Sequence, residues 1–368
     1  MRVGIPREVK DHEFRVAITP SGVHELSRHG HWVLLEHGAG AGSSIDDEQY
    51  IAAGATIVES ADDVWADSDM ILKVKEPVAE EFARMRRDQI LFTYLHLAAD
   101  RACTDALLAA GTTAIAYETV QLADNSLPLL APMSEVAGRL AAQVGSHHLT
   151  RQGGGRGVLM GGVPGTHGAN VVVIGAGVSG QNAVAMAMGL QADVTVLDRD
   201  VDRLRQIDAA YHGQCRTIMS NEFEVDAAVL AADLVIGAVL VAGAKAPRIV
   251  SNELVSRMKP GSVLVDISID QGGCFEDSRP TTHSDPTFRV HESLFYCVAN
   301  MPGAVPSTST YALTNVTLPY AVQLADRGWR EALAHDPALA LGLNCHHGEL
   351  HNAQVGAAHG YGAVQFVA

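Results

Sequence analysis

Three side chains in the first third of the chain stand at or just past short apolar runs: Arg15, Lys75 and His96. Arginine offers a planar fork that takes a carboxylate on two parallel N–H bonds. Lysine is a compact charge, suited to a carboxylate or to a keto oxygen gaining negative charge. Histidine titrates near neutrality and can pass protons to and from a substrate. Lys73 and Lys75 share one face if the run through Leu72 stays extended. Lys75 is the nearer of the two to the carboxyl end, just before Glu76-Pro77. His96 follows the run that ends at Phe92, and ligands of open α/β sheets bind beyond such ends. Taken singly, each of these residues also reads as a solvated charge or a surface histidine.

The second set is a loop, Gly175-Ala176-Gly177-Val178-Ser179-Gly180. GxGxxG alone arises by chance in a Gly-rich chain, so its context decides. The apolar run Val171–Ile174 precedes it, a helical pattern to about Gly189 follows, and Asp198 ends the next apolar run, 18 residues after Gly180. Gly175 permits the tight turn, Gly177 lets backbone approach a pyrophosphate, and Gly180 lets helix and strand pack closely. The helix start supplies free N–H groups for phosphates. A carboxylate at Asp198 accepts from the ribose hydroxyls and repels a 2′-phosphate, which favours NAD over NADP. Arg199 next door points the other way, and FAD uses the same fingerprint.

Elements must position these groups. Val3–Ile5, Trp32–Leu35, Thr56–Val58, Met70–Leu72, Ile90–Phe92 and Thr113–Ala116 read as strands. Helices start between them near Ser21, Asp46, Ala61, Ala79 and Arg101, with Thr19-Pro20 as a hydroxyl cap followed by proline. A second alternating set runs from Asn170 through strands at Asp193–Leu197, near Thr217, Leu234–Ile236, Val263–Val265 and Phe295–Val298. A long helix over about 134–150 joins the halves, and another follows Pro306 to about Arg330. The reading is α/β with two doubly wound domains, a Rossmann nucleotide-binding domain and a discontinuous Rossmann-like domain. Residues 1–128 and 307–368 form the discontinuous substrate domain, and 129–306 the nucleotide domain.

Composition narrows the class. Of 368 residues 47% are hydrophobic, 18% charged and 5% aromatic, with 35 glycines, which suits an α/β chain with many strand-to-helix turns. A formal net charge of −16 with no basic cluster argues against nucleic acid or an anionic membrane as partner. Five scattered cysteines without CxxC argue against a disulfide framework or a structural zinc site and for a reducing, cytoplasmic setting. Met1-Arg-Val-Gly-Ile-Pro6 has no apolar signal region, and no apolar run reaches membrane length. His346, His347, His351 and His359 lack regular ligand spacing, so no metal is expected.

Longer blocks carry a resemblance. Met1-Arg-Val-Gly-Ile-Pro6, Glu13-Phe-Arg-Val-Ala-Ile-Thr-Pro20, Leu72-Lys-Val-Lys-Glu-Pro77 and Leu91-Phe-Thr-Tyr-Leu-His-Leu97 come first. Ala131-Pro-Met-Ser-Glu-Val-Ala-Gly-Arg-Leu140, Asp266-Ile-Ser-Ile-Asp-Gln-Gly-Gly273 and Val298-Ala-Asn-Met-Pro302 follow. Together they resemble the alanine dehydrogenase family, in the group that includes the transhydrogenase α subunit; agreement is weakest over the last 30 residues or so. The resemblance implies reversible NAD-dependent oxidation of L-alanine to pyruvate and ammonia in a cytoplasmic homohexamer. It implies that Arg15 and Lys75 bind substrate and that His96 and Asp270 are catalytic. It implies a cofactor site of the Gly loop with Ser134, Val178, Ser179, Asp198, Arg203, Ser220, Val239 and Leu240. Ile267, Ser268, Ile269, Asp270, Arg279, Val298, Ala299, Asn300 and Met301 complete that set. Read as residues alone, Ser220 is also a helix cap before Asn221, and Arg279 a surface charge.

Three other readings compete: a transhydrogenase-type hydride relay, a saccharopine-type dehydrogenase with a larger substrate, and a binding protein that has lost the chemistry. Arg15, Lys75, His96 and Asp270 together favour alanine dehydrogenase. Two domains joined by crossing helices are expected to close and exclude water.

Overall fold

The computed structural model describes residues 1–239 and 246–366. Leu240, one of the expected cofactor residues, lies outside the described residues. The chain divides into two compact units, Met1–Met133 with Val305–Ala368, and Ser134–Ala304. The strands in chain order are β1 (Arg2–Ile5), β2 (Trp32–Glu36), β3 (Thr56–Val58), β4 (Met70–Leu72), β5 (Ile90–Thr93), β6 (Thr113–Ala116), β7 (Asn170–Ile174), β8 (Asp193–Asp198), β9 (Arg216–Met219), β10 (Leu234–Gly237), β11 (Val263–Asp266), β12 (Thr287–Val290), β13 (Ser293–Tyr296), β14 (Leu343–His346) and β15 (Glu349–Leu350).

The first unit holds an eight-stranded sheet, ordered β15-β14-β6-β5-β4-β1-β2-β3. Its pairs from β6 to β3 are parallel, while β14 and β15 add antiparallel. The second unit holds a seven-stranded sheet, β12-β13-β11-β10-β7-β8-β9, parallel except for β12. Both are doubly wound α/β sheets. In each the order turns back at one place, between β4 and β1 and between β10 and β7, where a crevice opens beyond the carboxyl ends.

Strands covered on both faces read as unbroken apolar runs, and β4, β5, β6, β10 and β11 are buried at every position. The second unit's core joins Val172, Ile174, Leu197, Val235, Leu264, Phe275 and Phe295. A core cluster of the first joins Ile71, Leu91, Leu107 and Cys345.

Several local expectations need correction. The helix expected near Ala79 is a single 3-10 turn, Phe82–Arg84. Glu81 turns inward instead: its Oε2 accepts from Val78 N–H at 3.0 Å and its Oε1 meets Lys73 at 2.9 Å. Helix Pro20–Arg28 starts at Thr19 with Pro20 behind it, but the Thr19 hydroxyl bonds Ser21 Oγ at 2.9 Å and caps no helix N–H. The strand expected at Phe295–Val298 is Ser293–Tyr296, and β12, β14 and β15 were not anticipated. Helix Pro306–Arg327 stops at Gly328, and a separate helix runs from Trp329 to His335.

Candidate active site and dinucleotide site

In the first unit, carboxylates lie just beyond three strands of the sheet and organise everything around them. Glu8, after β1, is buried; its Oε1 accepts from Val74 N–H at 2.6 Å and Lys75 N–H at 3.4 Å. Its Oε2 meets Lys73 Nζ at 3.1 Å. Lys73 is fully buried and also pairs with Glu81. Burial pushes the Glu8 carboxyl up, although Lys73 opposes it. Burial alone would lower the Lys73 ammonium, but Glu8 and Glu81 outweigh it and hold the charge on. So Lys73 and Lys75 do not form a pair on one face: β4 ends at Leu72, Lys73 turns into the interior, and Lys75 is only half-buried.

Glu76, after β4, is buried and bridges a lysine and a histidine. Its Oε1 bonds Lys10 Nζ, and its Oε2 meets His96 Nδ1 at 3.1 Å. Burial would raise its carboxyl, but the His96 hydrogen bond and charge, with Lys75 and Lys10, hold it far below the usual range. Glu118, after β6, accepts from Leu95 N–H at 3.1 Å and His96 N–H at 2.6 Å. His96 has φ +50°, a left-handed conformation that costs a non-glycine residue energy and persists only where its surroundings impose it. The Glu118 bonds are that constraint. The His96 ring is exposed on one side and stacks on Tyr94 at 5.9 Å between centroids.

An ionised carboxylate only accepts hydrogen bonds. Glu76 therefore fixes the His96 proton on Nδ1 and leaves Nε2 as the basic nitrogen.

Arg15 is buried, its Nε and Nη2 on Glu13 Oε1 and Oε2 at 2.6 and 2.5 Å and its Nη1 at 3.0 Å from Met133 Sδ. Burial would lower the guanidinium and raise Glu13, yet the bidentate pair outweighs burial on both and keeps them charged. The Lys75 charge acts on both Glu13 and Glu76. Tyr94 is buried with its hydroxyl on Leu129 O at 2.6 Å; burial pushes it up and the Arg15 charge opposes. Arg15, Lys75 and His96 are thus brought together by Glu13, Glu8, Glu76 and Glu118. Those carboxylates were not singled out from the sequence. The available signal was the position of Glu8, Glu76 and Glu118, each just past a strand end; Glu13 lies further on, in the loop after β1.

In the second unit the Gly loop follows β7, and helix Val178–Gly189 starts on Gly177. Gly175 has φ +104°, and a β-carbon there would lie 2.5 Å from Ala238 O, at the end of β10. A β-carbon on Gly180 would lie 1.8 Å from Gly175 O. At Gly177 a β-carbon would meet nothing nearer than Arg203 Nη1 at 3.6 Å. The protein's own packing therefore requires glycine at 175 and 180, whereas position 177 opens on space. An opening there, beside the helix start, suits a phosphate, and the glycine pattern of the loop is compatible with a dinucleotide.

Asp198 accepts from Ala176 N–H at 2.5 Å on Oδ2 and from Asp200 N–H at 2.8 Å on Oδ1. It ties the Gly loop to the end of β8. Arg203 is exposed and pairs with Asp200 at 3.5 Å. Ser220 donates its N–H to Asp198 O at 2.8 Å, and the cap of the next helix is Asn221, whose side chain accepts from Glu224 N–H. Arg279 is not a bare surface charge: its guanidinium lies over the Phe288 ring at 4.1 Å. Val239 packs on the core of this unit, Val298 pairs with Thr281, and Met301 is buried. Ser134 and Ser179 are half-buried on their helices, Val178 is exposed, Ala299 and Asn300 are half-buried, and Asn300 has φ +59°.

Asp270 is exposed in the 3-10 turn Ile267–Gln271, with Ile267, Ser268 and Ile269 beside it. Asp266 holds this turn and is a further residue that the sequence reading missed. Its buried carboxylate accepts from Ser268, Cys274 and Phe275 N–H and from Ser278 Oγ. Burial raises the Asp266 carboxyl, and these bonds oppose the rise. In the C-terminal segment His346 meets Thr113 Oγ1, His347 meets Asp88 and His351 meets Val364 O.

Fold and loop define a two-unit α/β protein of the dinucleotide-binding class. The alanine dehydrogenase/PNT N-terminal domain model matches residues 4–137, and the C-terminal domain model residues 141–353. The chain belongs to this family. It is 66% identical over 355 residues to an alanine dehydrogenase of Mycobacterium tuberculosis, covering 96% of each chain. It is 54% identical to one of Halomonas elongata, over 95% of this chain and 94% of that one. Among solved structures it is similar to an L-alanine dehydrogenase with TM-score 0.95 at 50% identity, over 97% and 99% of the two chains. A transhydrogenase from Sinorhizobium meliloti superposes with TM-score 0.81 at 26% identity, over 95% and 98%.

Proposed function

We propose that the chain is an NAD-dependent alanine dehydrogenase, which converts L-alanine, NAD⁺ and water to pyruvate, ammonium, NADH and a proton, reversibly. The observation that carries this reading is the Glu76–His96 pair beside Lys75 and the Arg15–Glu13 pair: a fixed base next to two cations. The first unit is the substrate domain and the second the NAD domain. Bound NAD⁺ supplies the acceptor for the hydride that leaves the substrate Cα.

Glu13 fixes the Arg15 guanidinium, and we assign the substrate carboxylate to Arg15 and Lys75. Lys75 also offsets negative charge at the oxygen that becomes the keto group. His96 Nε2 takes a proton from water as it attacks the imine carbon. The same nitrogen returns that proton to the amine of the carbinolamine, the C–N bond breaks as the keto C=O forms, and the hydroxyl proton passes to the departing ammonia to give ammonium. Asp270 orients water and ammonia at the reacting carbon. Ser134, Gly175, Gly177, Val178, Ser179, Gly180, Asp198, Arg203, Ser220, Val239 and Leu240 bind the dinucleotide, together with 267–270, Arg279 and 298–301.

Asp198 favours NAD over NADP through its negative charge. The reading also carries a homohexamer in the cytoplasm, by the resemblance; among the described residues no helix is long and apolar enough to cross a membrane. The test is His96→Ala: kcat/KM for alanine falls about 10²–10⁴-fold while NAD⁺ affinity holds. A rate close to wild type would refute the assignment.

A further inference from the structure

Glu76 is asked to do two things that conflict. Its hydrogen bond orients the His96 ring, but its charge also stabilises the imidazolium, and a base that stays charged takes no proton. A lysine holds the other oxygen of the same carboxylate. Lys10 Nζ closes on Glu76 Oε1 while His96 Nδ1 holds Oε2. The Glu76 side chain is 7% exposed, whereas Lys10 and His96 are 43% and 40% exposed, so the carboxylate is the buried centre of a three-group line.

We propose that Lys10 is a positioning residue for the proton transfer: it offsets the Glu76 charge, so that Glu76 orients His96 without locking it as an imidazolium. This rests on His96 being the acid/base, as assigned above. The charged groups around His96 come from three segments of the first unit. Glu76 and Lys75 follow β4, Glu118 follows β6 and binds the His96 backbone, and Lys10 comes from the loop after β1. Tyr94, stacked on the ring, is held neutral by burial. Two carboxylates thus face two ammonium groups, and removing Lys10 leaves the imidazole beside a net negative surround. The Lys10 turn is itself anchored, because Glu13 donates its N–H to Lys10 O at 3.0 Å. One loop therefore carries both the partner of Arg15 and the counter-charge of Glu76.

The experiment is the pH profile of kcat/KM for L-alanine oxidation in wild type, Lys10→Met, Lys10→Arg, Glu76→Gln, the Lys10→Met/Glu76→Gln double variant and His96→Ala. Lys10→Met moves the acid limb to higher pH by about half to one unit, the size expected for one half-exposed neighbouring charge. Lys10→Arg keeps the wild-type limb, which shows that charge and not shape is read. In the Glu76→Gln background, adding Lys10→Met moves the limb less than half as far. The proposal is overturned if the Lys10→Met limb superimposes on wild type, or moves equally far without Glu76. If His96→Ala keeps an unchanged limb, the His96 assignment itself is wrong. If His96→Ala loses the limb while Lys10→Met leaves it in place, only the role of Lys10 falls.

Discussion

The two units turn back their strand order at corresponding places, β4/β1 in one and β10/β7 in the other, and use the crevice in opposite ways. At β10/β7 the candidate site is backbone: three glycines, a helix start and one carboxylate that accepts from the loop's Ala176 N–H. At β4/β1 it is side-chain charge: Glu8, Lys73, Glu76 and Lys10, with Arg15–Glu13 nearby, mostly buried and each tied to another. A phosphate can be met by fixed backbone donors. A reacting carbon needs groups that change charge, and burying those demands partners for every one. The same topology thus yields a site of shape in one unit and a site of balanced charge in the other.

Breaking the shape site comes with the largest effect. Gly180→Ala drives a β-carbon into Gly175 O, so about 3 kcal/mol or more of stability is lost, read as a fall in Tm, and NAD⁺ binding goes with it. Breaking the charge site leaves the fold. Glu118→Ala frees the backbone of His96, and kcat drops about tenfold to a hundredfold with NAD⁺ affinity held; steady-state kinetics and fluorescence titration separate the two. Gly177→Ala sharpens the contrast within the loop. Its β-carbon has room in the protein, so Tm stays, while NAD⁺ affinity falls about tenfold. An unchanged affinity would mean that no ligand approaches Gly177.

The smallest effect is a pH dependence. The folded Glu76 carboxyl lies below its ordinary 4.5, so its stabilisation is present above that pH and is lost as pH falls toward the folded value. The unfolding free energy of wild type from urea titrations therefore falls more steeply below pH 4.5 than that of Glu76→Gln, by about 1–2 kcal/mol in total. Parallel curves would remove Glu76 from the charge network.

The same contrast explains what was legible in the sequence. Strands β4, β5, β6, β10 and β11 announce themselves as apolar runs, because burial on both faces leaves no alternation to decode, whereas the edge strands β3 and β9 have no buried position. The Gly loop was legible because its residue types follow from backbone geometry. Asp266 and Glu118 were not, because a carboxylate that holds a turn and one that sits in solvent look alike until the turn is seen. Lys73 misled for a related reason. Its two-residue offset from Lys75 suggested a shared face, but the strand had ended, and Glu8 and Glu81 drew Lys73 inward. β12, β14 and β15 are antiparallel additions at sheet edges, where short runs carry little pattern.

The central claim is that the charge site oxidises an amino acid at its Cα while the glycine site holds NAD. It is tested most directly by mixing the protein with NAD⁺ and L-alanine and following NADH, then running pyruvate, ammonium and NADH in reverse. Turnover is expected in both directions, with NADP⁺ a poor substitute for NAD⁺ and His96→Ala nearly inactive. No NADH from L-alanine and no NADH consumed in reverse, from folded protein that binds NAD⁺, would contradict it.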